Sequence, residues 1–146
     1  MSALQLNDVY LARQRIEALV RRTPMEYSPS LSLRLGVAVY LKLESWQITG
    51  SFKLRGASNA VAQLSAEQKA RGVVAASTGN HGRALAYAAS RQGVKATICL
   101  SCLVPANKVQ AIRDLGAEVC IVGQSQDDAQ REAERIAREQ GATLLP

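Results

Sequence analysis

The stretch Val73-Val74-Ala75-Ala76-Ser77-Thr78-Gly79-Asn80-His81-Gly82 decides the fold. Four small or β-branched apolar residues read as a buried strand. The polar, glycine-bearing bend after them opens a helix over about 83–92, closed by Gly93. Downstream the alternation repeats. A strand is expected over 94–100, a helix over 107–115 closed by Gly116, and a strand over 118–122. Ser125 with Asp128 caps a long helix to Gln140, Gly141 closes it, and 143–145 begins a last strand. Just upstream, Ser65 and Gln68 form a capping-box pair for a short helix that ends at Gly72. Strands alternating with helices require right-handed β-α-β crossovers, so the expected class is α/β with an open parallel sheet. Ligands of such sheets bind at the carboxyl ends of the strands, and the bend at 77–82 lies at one of them.

Toward the N-terminus the pattern is less regular. Val9, Ala12, Ile16, Leu19 and Val20 recur at helical spacing, which predicts a helix over 7–20 capped by Asn7 and stopped by Arg22-Thr23-Pro24. Residues 25–32, with Pro29 and three serines, read as a loop, and 37–43 as a strand. A polar link leads to Thr49-Gly50-Ser51-Phe52-Lys53 and a helical pattern through Leu64. This organisation divides the chain at 1–65 and 66–146.

The 146 residues suit one typical domain, and 47% apolar content is enough for a core. Lys and Arg number 18 against 12 Asp and Glu, a net charge of +6. The basic residues are scattered and only six aromatics are present, so a solvated surface is expected rather than a nucleic-acid face. The longest uncharged stretch, 96–107, is too short to span a membrane and contains a proline. The N-terminus lacks a secretory pattern, and a soluble, cytoplasmic protein is expected. Cys99, Cys102 and Cys120 are too few for a disulfide framework. With His81 they could form a zinc set, but Cys99 and Cys120 fall inside apolar strands, where a core role is expected and no metal.

Two segments could carry chemistry. Lys53 follows a Thr-Gly-Ser turn at a helix start, where the helix dipole disfavours an ammonium and favours the neutral amine that Schiff-base chemistry needs. A plain surface lysine is the other reading. In the bend 77–82 two glycines would let a ligand approach the backbone, while N–H groups and the Ser77 and Thr78 hydroxyls suit a carboxylate or phosphate. A simple strand-to-helix turn capped by Thr78 or Asn80 is the alternative.

Taken together, Gly-Ser-Phe-Lys-Leu-Arg-Gly-Ala at 50–57 and Ser-Thr-Gly-Asn-His-Gly at 77–82 resemble the serine/threonine dehydratases and serine racemases. These belong to the tryptophan-synthase-β-like group of pyridoxal-phosphate enzymes. Arg22-Thr23-Pro24, Leu41-Lys42-Leu43-Glu44, Pro105, Lys108-Val109 and Gly116-Ala117-Glu118-Val119 extend the resemblance. The run at 80–89 is similar to the threonine-dehydratase-like enzymes of ectoine and hydroxyectoine utilisation. Leu54 follows the lysine where sulfur-transfer relatives carry Asp.

The resemblance implies that Lys53 forms the Schiff base with pyridoxal 5'-phosphate and later moves the substrate α-proton. Phe52 would pack near the pyridine ring and Asn80 bond its hydroxyl. Ser77, Thr78, Gly79, Asn80 and His81 would line the substrate site, and the Thr78 hydroxyl could act as an acid or base on the opposite face. The implied reaction is loss of the β-hydroxyl from threonine, serine or a similar hydroxy amino acid. Residues 1–65 would belong to the large cofactor domain and 66–146 to the small one. The glycine-rich phosphate loop would lie in a second half, beyond Pro146. A front fragment is therefore expected, one that holds the cofactor weakly, is inactive alone and associates with itself through bare apolar faces.

Overall fold

The computed structural model describes residues 3–77 and 79–146. Helix α1 (Leu6–Ile16) is followed by strand β1 (Met25–Tyr27), helix α2 (Pro29–Leu35) and strand β2 (Tyr40–Lys42). β1 and β2 pair antiparallel with Tyr27 opposite Tyr40, and those two rings lie 5.5 Å apart. The first 42 residues depart from expectation in three places. α1 ends at Ile16, and its first turn is tied by the Gln5 N–H donating to Asp8 at 2.9 Å, so Asn7 is not its cap. The segment read as a loop holds β1 and α2, because Pro29 at the first helical position has its φ already set for a helix. The strand expected over 37–43 is only three residues long.

From Lys53 on, sequence and structure agree closely. Helices α3 (Lys53–Ala62) and α4 (Ala66–Arg71) lead to strand β3 (Val73–Ala76). Then come α5 (Asn80–Arg91), β4 (Ala96–Leu100), α6 (Ala106–Arg113), β5 (Glu118–Ile121), α7 (Gln126–Gln140) and β6 (Thr143–Leu144). The four strands form one parallel sheet in the order β5-β4-β3-β6. Both predicted capping boxes form, with the Ser65 and Ser125 hydroxyls accepting from Gln68 N–H and Asp128 N–H, each at 3.1 Å.

Alternation along the strands splits the core into two layers. Val73, Ala75, Ile98 and Leu100 face α3, α5 and α6, where Leu54, Val61, Leu85 and Ile112 are fully buried with them. Val74 and Cys99 face the other way, onto Ala129, Ala133 and Ile136 of α7. Small residues on α5 and α7 let these helices approach the sheet closely. Burying each large side chain contributes roughly 1.5–3 kcal/mol, so the sheet and its helices form a rigid base for the bend after β3.

Candidate active site

The helix after β3 starts at Asn80, three residues earlier than its sequence suggests. The Ser77 hydroxyl makes this possible by accepting from the Gly82 N–H at 2.8 Å and the Gly79 N–H at 3.4 Å. It thereby takes the place of a side-chain cap that Gly79 cannot supply. Gly82 is not open to a ligand, as the sequence reading supposed. A Cβ there would meet Ile98 at 3.1 Å and Ile112 and Ser77 at 3.3 Å, so its missing side chain seats the helix on the sheet. Gly79 by contrast faces open space. Ser77 is buried, Gly79 and His81 are half-buried, and Asn80 is exposed. Thr78 lies outside the described residues.

Lys53 opens α3 directly after Phe52, with its Nζ 5.5 Å from the centre of the Phe52 ring. Leu54, the next residue, is fully buried in the layer between α3 and α5, so an aspartate at that position would bury a carboxylate in apolar surroundings. That packing sets α3 against α5 and opens a cleft of about 360 Å³ between them, lined by Phe52, Lys53, Gly56, His81 and Leu85. Lys53 and His81 thus line one cleft. The His81 Nε2 is buried without a hydrogen-bond partner among the described residues, and the Leu145 carbonyl lies against the imidazole. Burial pushes the imidazole below its ordinary range. The carbonyl contact opposes that shift, and the Lys53 charge adds to it. A neutral His81 beside a primary amine follows.

A larger cleft of about 560 Å³ lies between α1 and α3, lined by Val9, Ile16, Arg13, Arg22 and neighbours. It contains neither Lys53 nor any residue of the bend, so size does not identify the reactive cleft. Cys99 and Cys120 are register partners on adjacent strands, and burial of Cys99 pushes its thiol up to about 12. Cys102 is exposed on the following loop. The described residues contain no group of three or more side chains arranged to hold a metal.

The sequence reading matched Arg22-Thr23-Pro24 and Leu41–Glu44 to the family and took them as a helix stop and part of a strand, with no role toward Lys53. In the structure they converge on the start of α3. Glu44 accepts from Arg55 Nη2 at 2.7 Å, from Arg55 Nε at 3.0 Å and from the Thr23 hydroxyl at 2.5 Å. Long sequence separation hid this cluster, although a lone acid and a lone arginine flanking the lysine motif were its visible trace.

The open α/β sheet thus carries, beside the start of α5, a cleft that a primary amine and a buried imidazole both line. The chain belongs to the pyridoxal-phosphate dependent enzyme family, whose model matches residues 16–146. It is 60% identical over its whole length to a Sinorhizobium fredii protein named "Putative threonine dehydratase" and covers 44% of that protein. It is 43% identical to the L-threonine ammonia-lyase of Thermotoga maritima, with 97% of this chain and 35% of that one covered. Maize serine racemase superposes with a TM-score of 0.92 at 34% identity, over 99% of this chain and 44% of its own. The chain therefore spans less than half the length of these relatives.

The family's cofactor can be tested against the residues present. One primary amine, one exposed aromatic face and one imidazole nitrogen without a partner among the described residues border the same cleft. That set fits an aldehyde-bearing aromatic ring.

Proposed function

We propose that this chain carries the reactive lysine and substrate-facing bend of a pyridoxal-phosphate-dependent ammonia-lyase acting on hydroxy amino acids such as threonine or serine. The observation that carries this reading is the shared cleft of Lys53 and His81. The names of the relatives at 60% and 43% identity support the substrate class. Residues 1–65 would contribute to the cofactor domain and 66–146 form the smaller domain; the separate antiparallel and parallel sheets support two units, with α3 packed onto the second. Free cysteines support a cytoplasmic setting.

Lys53, Phe52 and Asn80 would hold the cofactor, through its aldehyde carbon, its ring face and its ring hydroxyl. When bound, the cofactor withdraws the electron pair left at Cα. Lys53 Nζ removes the Cα proton. Gly79, Asn80 and His81 present the first turn of α5 to the substrate carboxylate, where the N–H groups that Ser77 does not hold and the helix dipole favour an anion. Ser77 fixes the bend by its bonds to Gly79 and Gly82. The buried Nε2 of His81, without a partner among the described residues, is available for a hydrogen bond to the substrate. The substrate loses its β-hydroxyl as water, and hydrolysis of the product yields a 2-oxo acid and ammonia.

Borohydride trapping with pyridoxal phosphate, followed by peptide mass spectrometry, tests the reading even where binding is transient. The adduct is expected at Lys53 and is lost in Lys53→Ala. Equal labelling of Lys42, Lys69, Lys95 and Lys108 would defeat it. So would amino-acid binding without any adduct, which fits a non-catalytic module. A racemase reading draws on the likeness to maize serine racemase and on the Thr78 hydroxyl. Cα inversion without 2-oxo acid formation by the full-length enzyme would favour it. Comparing threonine, serine and ectoine-derived amino acids in that enzyme separates the branches suggested by the run at 80–89.

A further inference from the structure

α3 has an unusual start. Lys53 and Arg55 bring two cations to the positive end of its dipole, its first turn has no acid, and its N-cap, Phe52, makes no side-chain cap bond. A helix so begun should fray, yet this turn must present the amine. The missing support comes from elsewhere in the chain. Both Glu44 oxygens are taken by Arg55, and one is shared with the Thr23 hydroxyl. Arg55 also donates to the Arg21 carbonyl at 3.2 Å, and the Gln47 amide, 3% exposed, bonds the Arg21 N–H and C=O at 2.8 and 3.0 Å. Lys42 donates to the Thr23 carbonyl at 2.6 Å. Two segments, 21–23 and 42–47, are thus tied around one largely buried carboxylate to the turn that bears Lys53.

We propose that Glu44 is a positioning residue for Lys53: its bonds to Arg55 and Thr23 hold the first turn of α3 so that the lysine amine stays in the cleft with His81. This rests on Lys53 being the reactive amine. Glu44 compensates Arg55 and leaves the Lys53 amine without an anionic partner among the described residues. A carboxylate nearer Lys53 would stabilise its ammonium form and defeat the chemistry. Bidentate pairing of Arg with a carboxylate fixes orientation as well as distance, which suits a role in aiming a neighbouring side chain.

The test compares wild type, Glu44→Gln and Glu44→Asp by the rate of borohydride-trapped pyridoxal-phosphate labelling at Lys53, with Lys108 in the same molecule as internal reference. Hydrogen exchange at the Leu54 and Arg55 amides, which donate to Ser51 and Phe52 carbonyls, reports the turn without the cofactor. Glu44→Gln is expected to lower the Lys53-to-Lys108 labelling ratio about tenfold and to speed exchange at both amides, with Glu44→Asp recovering part of each. A folded Glu44→Gln protein with an unchanged ratio and unchanged exchange would overturn the proposal. If Glu44→Gln does not fold, Thr23→Val, which removes one bond to the carboxylate, is held to the same criterion. Wild-type protein with no preference for Lys53 would instead defeat the reading of Lys53 itself.

Discussion

At the residue scale, His81 is the group whose environment differs most from what its sequence position suggests. A free imidazole takes up a proton below about pH 6.5. Burial of Nε2 and the nearby Lys53 charge instead keep His81 neutral. The linkage has a definite sign. Because its folded-state pKa is lowered, the unfolded chain binds the proton more readily, and stability falls as pH drops below the ordinary imidazole value of about 6.5. Melting temperature is expected to decline from pH 7 to pH 5.5, with a shallower decline in His81→Gln. The lowered carboxylates Glu44, Asp128 and Glu132 act in a separate window. Their contribution is present above about pH 4 and is lost in stronger acid. Identical pH slopes for His81→Gln and wild type would show that the imidazole is not held neutral.

At the element scale, α3 and α7 are specified by different forces. α7 follows local chemistry. Ser125 caps it, and Asp128 accepts from the Gln124 and Ser125 N–H groups at 2.9 and 3.0 Å. Its outer face carries ion pairs such as Arg131–Asp128 and Arg135–Glu132, which are worth little individually. α3 has a poor local start and is retained by Leu54 and Val61, both fully buried against α5 and the sheet. Ser125→Ala is therefore expected to cost about 1 kcal/mol. Leu54→Ala should cost roughly 2–5 kcal/mol, since it opens a cavity beside the lysine-bearing turn. Urea denaturation of both variants checks this order, and a larger loss from Ser125→Ala would contradict it.

At the scale of the whole molecule, the apolar exposure is uneven. Leu33 is 88% exposed, and Leu35, Val37, Met25, Tyr40 and Trp46 are each 60% or more exposed, all within residues 25–46. A surface of this kind recruits partners, and a second copy of the chain is the partner always present. Concentration-dependent association is expected in light scattering, with Leu33→Lys and Trp46→Lys shifting it toward monomer. A wild-type chain that stays monomeric across that range would rule this out. The parallel sheet, its helices and the bend after β3 were legible in the sequence because strand alternation, capping boxes and closing glycines act within a few residues of one another. The short β1–β2 pair and the early end of α1 were not, since three-residue strands carry almost no periodicity and exist through pairing across the chain. Sequence alone likewise singled out Lys53 and the bend at 77–82 as carriers of chemistry. Only the tertiary structure decided that Lys53 and His81 line one cleft, that Ser77 caps α5, that Gly82 is a packing residue and that Glu44 pairs with Arg55 of α3. Each of those depends on burial and on bonds between residues far apart in the chain, and these exist only once α3 has packed against α5.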